Sequence, residues 1–186
     1  MAAVFCLAHP PNSPLMTHFG SDLPAFLDAA PQLAHIGYLG DIARLELAMR
    51  QSYHAADAKP IDPALLGQMP PETLVQSYLG FAPATRVLRS KWPIYDIWRF
   101  NSEENAPKPK AGAQDVLVAR PEFDPEPHVL PLGGADWIAR INEGATIGDA
   151  LAATQNVLPE FDLGATLGVL LQSQSITHLS TEKAPR

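Results

Sequence analysis

The sequence predicts an α+β protein, with a helical first half and a second half that combines a three-stranded antiparallel sheet with short helices. In the first half, residues 38–57 have apolar side chains at steps of three and four, the spacing of one helix face. In the second half, β-type runs over residues 85–90, 115–120 and 127–132 predict three strands. Helical spacing returns after them. We therefore expect a helical region at 1–78 and an α+β domain at 79–186.

Composition sets the broad class of the protein. The chain has 186 residues, 46% of them apolar, which is enough to bury a real core. Nineteen prolines predict short elements and long ordered loops. The formal net charge of −7 argues against a protein that binds a nucleic-acid phosphate backbone over a broad surface. No run approaches the ~20 apolar residues of a membrane span, and the N-terminus lacks signal-peptide features, so we expect a soluble, cytoplasmic protein.

The N-terminal segments read as short helices. Residues 1–9 form the end of an amphipathic helix, and prolines stop it. The single cysteine, Cys6, excludes an internal disulfide and a cysteine-based zinc site, and we expect it to be buried as a small hydrophobic residue. A second helix, capped by Ser21 or Asp22, ends at Pro31.

The stretch at 38–57 is the longest strongly periodic segment and is predicted to be the central helix. Its stripe predicts four buried residues: Leu39, Ile42, Leu45 and Met49. Off the stripe, we expect four polar residues to stay solvated: Asp41, Arg44, Arg50 and Gln51. Glu46 lies one turn before Arg50, the spacing of an i,i+4 ion pair.

Short elements fill the middle of the chain. Asp62 is placed to cap a short helix, and the prolines at 70 and 71 open another. Polar residues at 101–113 predict a surface loop, and the FDPEP segment between the last two strands suits a hairpin loop. A further short helix between the first two strands is predicted from the spacing of Ile94, Ile97 and Trp98.

Three short helices and a closing strand are predicted at the C-terminal end. Gly144 ends the first helix, Thr146 opens a Thr-x-x-Asp capping box for the second, and Asp162 caps the third. Residues 176–180 suit a short edge strand. This order resembles a helix-turn-helix or winged-helix unit, but the second and third helices contain no Lys or Arg with which to anchor on phosphates. The apolar face of the first helix is made by Trp137, Ile138 and Ile141.

No catalytic pattern emerges from the residues. Gly133 and Gly134 are an isolated pair ahead of a helix, which is typical of a tight turn rather than a nucleotide site, and there is no His-Glu-x-x-His motif. We therefore predict no catalytic, cofactor-binding or metal-ligating residue, and a protein that is not an enzyme.

The only clustered positive charge lies around residue 90. It comprises Arg86, Arg89, Lys91 and Arg99, and three aromatic residues interleave with it: Trp92, Tyr95 and Trp98. Basic side chains covering a solvated sheet edge would explain the cluster. A binding surface for an acidic or peptide partner would explain it too, because Trp, Tyr and Arg dominate interface hot spots.

Four ordered stretches resemble one bacterial family over nearly the whole chain. They are HPPNSPLMTHFGSDLPAFL, YLGDIARLELAMRQSYHAAD, APATRVLRSKWPIYDIWRFN, and VLVARPEFDPEPHVLPLGGADWIARINEGATIGDALA followed by FDLGATLGVLL. The family carries a DNA-binding label, includes the HvfC/BufC-type proteins, and is distantly similar to the C-component of methanobactin biosynthesis. Members usually have a further N-terminal helical region, so the resemblance implies that residues 1–78 are the end of a truncated N-terminal domain.

The resemblance implies a role as a partner protein. In that family the chain pairs with a multinuclear-iron, TIM-barrel enzyme that converts peptide cysteines into copper-binding heterocycles, a reaction of natural product biosynthesis and copper homeostasis. The C-terminal domain would receive a precursor peptide by strand addition around residues 116–120 and 129–132. The alternative is a DNA-binding transcriptional regulator. The resulting partner-binding prediction comprises Arg86, Arg89, Trp92, Tyr95, Trp98, Val116, Val118 and Arg120.

Overall fold

A computed structural model describes residues 2–10 and 19–183 and shows a mixed α+β fold, as predicted. A turn of 3-10 helix (Pro31–Leu33) lies between the second and third helices. The helices and strands, in chain order, are α1 (Ala2–Ala8), α2 (Leu23–Ala29), α3 (Leu39–Tyr53), α4 (Ala64–Gln68), α5 (Pro71–Val75), β1 (Tyr78–Phe81), β2 (Arg86–Leu88), α6 (Ile94–Ser102), β3 (Val116–Ala119), β4 (Glu126–Val129), α7 (Gly134–Asn142), α8 (Ile147–Gln155), α9 (Leu163–Gln172) and β5 (Ile176–Ser180).

The predicted three-stranded antiparallel sheet is present in the described part of the chain, in the order β2-β3-β4. Val87 lies opposite Leu117 in one pair of strands, and Leu117 lies opposite His128 in the other. All four residues of β3 are buried. A continuous apolar run of this kind is expected for a strand that is covered on both faces, and the packing explains it.

The sheet is the middle of three layers. On one face, Leu117 and Ala119 pack into a core built mainly by α7, α8 and α9. On the other face, Val116 and Val118 pack against α3 and α6 through a smaller cluster that contains Leu45. The central helix therefore lies directly on the sheet.

Only part of the predicted α3 stripe is buried. Leu45 is fully buried, as predicted. The prediction is wrong for Leu39, Ile42 and Met49, which are only half-buried. The closest approach of α3 to its neighbours is made instead by small residues, since the other buried positions of this helix are Gly40, Ala43, Ala48 and Ser52.

A second pair of strands is formed by β1 and β5, of which only β5 was predicted. The segment at 176–180 is a strand, but its partner β1 carries Gly80 and gave no β-type signal. The two strands run antiparallel, with Tyr78 opposite Ser180. A Cβ at Gly80 would lie 3.0 Å from the Cβ of His178, so the close approach of the two strands explains a glycine in that position.

The predicted caps of the C-terminal helices are confirmed, whereas Asp22 occupies the N-cap position of α2 without a side-chain hydrogen bond. Thr146 Oγ1 accepts a hydrogen bond from the Asp149 N–H at 3.1 Å, and Asp162 Oδ1 accepts one from the Ala165 N–H at 2.9 Å. Gly144 has φ +90° just after α7, the left-handed conformation of a helix-ending glycine. These signals depend on neighbours in sequence, so tertiary packing does not override them.

Two further predictions about the N-terminal half are wrong. Cys6 is exposed, because the inward-facing position of α1 is taken by Phe5, which is 4% exposed and packs against Phe26. Arg50 makes no ion pair with Glu46. Its Nη2 donates instead to the carbonyl oxygen of Phe19 at 2.9 Å, and this bond ties α3 to the segment before α2.

No helix among the described residues is both long enough and apolar enough to cross a bilayer.

Candidate functional site

The eight residues predicted to bind a partner do not form one surface. Trp92, Tyr95 and Trp98 are half-buried and pack on the cluster that joins α3 to the sheet. The Trp92 ring also lies against Gly37, where a Cβ would come within 2.8 Å of it. These aromatic side chains therefore fill the junction between α3, α6 and the sheet.

Val116 and Val118 lie in the interior. Both have no exposed surface, and β3 is bordered on its two sides by β2 and β4. A strand with two neighbours has no free backbone groups along its edges, so β3 cannot receive a third strand. This placement corrects the prediction for these two residues, and it confines strand addition on this sheet to the outer edges of β2 and β4.

Arg120 closes the C-terminal end of α3. Its Nη1 donates to the carbonyl oxygen of Tyr53 at 2.7 Å. Its Nη2 donates to the carbonyl oxygen of Ala55 at 2.9 Å and to Asp57 at 2.8 Å. Only 11% of its side chain is exposed, so Arg120 acts within the fold and is not available to a partner.

The other predicted cations point to different parts of the surface. Arg89 pairs with Asp136 of α7 at 2.8 Å, and both side chains are about half exposed. Arg86 lies on the face that carries Leu88 and α3, because alternate residues of a strand face the same side. Its Nη1 donates to the carbonyl oxygens of Pro83 and Thr85 at 2.6 and 2.8 Å. The cluster seen in the sequence is thus divided between the two faces of the sheet.

The two outer edges of the sheet offer different backbone groups. Gln114 N–H donates to the carbonyl oxygen of Ser90, and Leu130 N–H donates to the carbonyl oxygen of Asp115. These two bonds show which residues of β2 and β4 point their backbone N–H and C=O groups toward β3. Because these partners alternate along an antiparallel ladder, the N–H and C=O of Val87 point away from β3, as do those of Val129. On β4 the next outward position is Pro127, which has no N–H to donate. The β2 edge is therefore the less protected of the two.

A groove runs between the outer edge of β2 and α3. It consists of two adjoining cavities of about 370 and 510 Å³ that share Ser21, Leu47, Gln51 and Arg86. Val87 and Leu88 form one wall, α3 forms the other, and Pro24 and Ala25 of α2 close part of the rim. We call this feature the β2 groove.

The β2 groove is lined by positive charge. Three arginines, Arg44, Arg50 and Arg86, line it, and none of its lining residues within the described chain is acidic. Arg44 is compensated, because it pairs with Asp28 at 2.5 Å and with Asp41 at 2.8 Å. Its hydrogen bond to Asp28, more than any other contact, raises the pKa of Arg44 above its ordinary value. Among the described residues, Arg50 and Arg86 bond only to carbonyl oxygens, so no described carboxylate balances their charge within the groove.

Sequence reasoning missed this site because it treated the lining residues of α3 as solvated. Of the three lining residues expected to stay solvated, Gln51 is exposed, as predicted, whereas Arg44 and Arg50 are half-buried; all three line the groove. The available signal was their common position off the apolar stripe, two of them cations in a chain of net charge −7. The sequence could not show that the edge of a strand lies opposite them.

A separate apolar cleft of about 490 Å³ lies beside α6. It is lined by Tyr38, Trp92, Ile97 and Phe100 together with residues of the following loop. Trp92 is the one member of the predicted set found there. The lining of this cleft includes no strand of either sheet, so it lacks the backbone edge that distinguishes the β2 groove.

Within residues 2–10 and 19–183, no three His, Cys, Asp or Glu side chains come together as a group that could hold a metal ion. In comparisons with known proteins, no family model and no curated protein matches the chain.

Proposed function

We propose that this protein is a cytoplasmic, non-catalytic peptide-recognition subunit. It works with a separately encoded multinuclear-iron, TIM-barrel enzyme that modifies cysteines of ribosomally made copper-binding peptides. The resemblance of four ordered stretches supports the enzyme partner and the peptide class. The geometry supports peptide capture through one observation: the β2 groove places a free strand edge opposite a helix.

A free edge inside a groove suits an extended peptide. Main-chain hydrogen bonds to the edge supply affinity, and alternate side chains of the added strand meet the walls. Val87 supplies one outward N–H and one outward C=O. The lining of α3 from Arg44 to Ala55 spans roughly 15 Å, which is the length of about five extended residues.

The proposed edge differs from the one that the resemblance implies. Strand addition was expected around 116–120 and 129–132. The first of these segments is the interior strand β3. The second begins at the last residue of β4, whose outer edge is interrupted by Pro127. The β2 edge has neither obstacle, and a groove flanks it.

Coexpression tests this proposal. A search of the genes beside this one, for an iron-dependent enzyme and a cysteine-rich peptide, supplies the partners, which are expressed together with the chain and analysed by size-exclusion chromatography. We expect the three products to co-elute. Val87→Pro, which removes the outward N–H of β2, should lose the peptide and keep the enzyme.

Val129→Pro is the matched control. It removes an outward N–H from the opposite edge of the same sheet and should keep both partners. Folding of each variant is checked by circular dichroism and by amide NMR spectra. Retention of the peptide by Val87→Pro would remove the β2 edge as the capture site. Failure of the unmodified chain to co-elute with the enzyme would remove the partner assignment.

The alternative function, a DNA-binding regulator, gains no specific support. The helices α7, α8 and α9 followed by β5 have the predicted order of a winged-helix unit. However, α8 and α9 carry no Lys or Arg, and a recognition helix needs cations for its phosphate contacts.

A further inference from the structure

We propose that the β2 groove selects an extended segment in which acidic residues alternate with apolar ones. This inference rests on the proposed function, because it assumes that a peptide adds to β2, and it names the chemistry of that peptide.

The two faces of an added strand meet different surroundings. Successive side chains in a strand point to opposite faces, and those of a strand added to β2 continue the faces of the sheet. One face is that of Arg86, which points toward α3, where Arg50 also lines the groove. The other face is that of Val87, which packs against the C-terminal core. Every second residue of the peptide would therefore face cations, and the residues between them would extend an apolar surface.

The cations on the α3 face still have donors to offer. A guanidinium carries five N–H donors. The Nη1 of Arg86 serves two carbonyl oxygens, and no described residue accepts from its Nη2 or Nε. The Nε of Arg50 is buried and has no hydrogen-bond partner in the described part of the chain, so a ligand in the groove cannot reach that atom and Arg50 contributes its charge. A carboxylate in the groove could accept from the Nη2 of Arg86, and such charge-assisted bonds are about twice as strong as neutral ones.

The charges of the groove also favour an acidic segment. Arg44 is already neutralised by Asp28 and Asp41, so it adds little attraction for a further anion. Arg50 and Arg86 make no ion pair with any described carboxylate. An uncompensated positive groove in a chain of net charge −7 favours an anionic occupant over a cationic one.

Three synthetic peptides test the inference. Each has the pattern Thr-X-Val-X-Val-X-Thr and the same fluorescent tail, with X as Glu, Gln or Lys. Binding to the full chain is followed by fluorescence anisotropy at low salt. We expect the Glu peptide to bind roughly tenfold more tightly than the Gln peptide, and the Lys peptide more weakly still.

Substitutions test whether Arg86 is responsible for the preference for the Glu peptide. Arg86→Gln should reduce the affinity for the Glu peptide toward that for the Gln peptide and leave the Gln peptide unchanged. Arg89→Gln is the matched control, because Arg89 is three residues away but pairs with Asp136 outside the groove. It should change neither affinity. If Arg86→Gln proves unstable, Arg50→Gln and a salt titration of the unmodified chain test the same point, since added salt should weaken only the Glu peptide.

Different results are expected if the acid preference is absent and if strand addition to β2 itself is absent. Equal binding of the Glu and Gln peptides, abolished by Val87→Pro, would overturn the acid preference and leave strand addition standing. Binding that Val87→Pro does not affect, or no binding of any peptide, would overturn the β2 groove as the capture site, and the acid preference with it.

Discussion

The guanidinium of Arg120 joins the end of β3 to the end of α3, with Nη1 2.7 Å from the carbonyl oxygen of Tyr53. Its Nη2 reaches the carbonyl oxygen of Ala55 and the carboxylate of Asp57. The last carbonyl groups of a helix have no partner within the helix, and a cation there also interacts favourably with the helix dipole. One side chain thus fixes the position of α3 over the sheet, and α3 forms a wall of the β2 groove.

Replacing Arg120 should therefore destabilise the whole fold. Arg120→Met keeps the length of the side chain and removes every donor. We expect a loss of about 1.5–3 kcal/mol in the free energy of unfolding, measured by urea denaturation, because the bonds are charge-assisted and the Arg120 side chain that donates them is only 11% exposed. Arg89→Met removes an exposed pair and should cost less than about 1 kcal/mol. Equal losses in the two variants would contradict a structural role for Arg120.

The packing of α3 on the sheet can be tested at Leu45. It is fully buried between α3 and the sheet, in contact with the cluster that contains Val116 and Val118. Leu45→Ala should cost about 2–5 kcal/mol, since it removes buried carbons and leaves a cavity. Leu132→Ala is a fair comparison, because Leu132 is 70% exposed and its truncation should be close to neutral. A loss below about 1 kcal/mol for Leu45→Ala would mean that α3 does not pack on the sheet as described.

Gly133 is held by both its conformation and its neighbours. Its φ is +82°, and a Cβ there would lie 2.8 Å from Leu158 and 2.9 Å from Phe161. Gly133→Ala should lower the melting temperature and cost about 1–3 kcal/mol. The control is Gly67→Ala in α4, where no atom lies within 4 Å of the new Cβ and alanine favours the helix. That variant should be neutral or stabilising, and the same loss in both would contradict the role assigned to Gly133.

Binding to DNA should be weak. The net charge is −7, and α8 and α9 offer no cation to a phosphate. Titration against duplex DNA at physiological salt should give a dissociation constant larger than about 1 µM, and this constant should rise steeply as salt is added. Sequence-selective binding tighter than that would favour the regulator and count against the proposed function.

Most elements of the fold, though not β1, could be predicted because their signals are local. Thr146 and Asp162 cap helices through groups three residues away, and the unbroken run of β3 requires only that both faces be covered. The groove could not be predicted in this way. It depends on the strand order, which leaves β2 rather than β3 at an edge, and on how α3 is rotated over the sheet.

The basic cluster shows the same limit of sequence reasoning. Arg86 and Arg89 are three residues apart, so they suggested one surface. Strand alternation sends them to opposite faces, where Arg89 meets Asp136 of α7 and Arg86 lines the groove beside α3. Nearness in sequence therefore wrongly placed Arg89 on the same surface as Arg86. It also gave no indication that cations of α3 lie beside Arg86.

The last prediction concerns pH and the carboxyl group of Asp115, which lies just before β3. Burial raises the pKa of Asp115 above its ordinary value, and repulsion from Asp136 adds to this, while Arg89 and a hydrogen bond to the backbone of Ser90 oppose it. The folded chain then holds this proton to a higher pH than the unfolded chain does. Stability contributed by the neutral carboxyl is present below the unfolded pKa of about 3.8 and is lost as pH rises through the folded pKa.

Asp115→Asn removes the titration with almost no change in shape. The free energy of unfolding of the unmodified chain, minus that of Asp115→Asn, should fall as pH rises from about 4 toward neutral, measured by urea denaturation at several pH values. Asp124→Asn, at an exposed position in the loop between β3 and β4, is the control for the loss of one carboxylate. A difference for Asp115 that rises with pH would mean that Arg89 outweighs burial and that the carboxylate is stabilised in the folded chain.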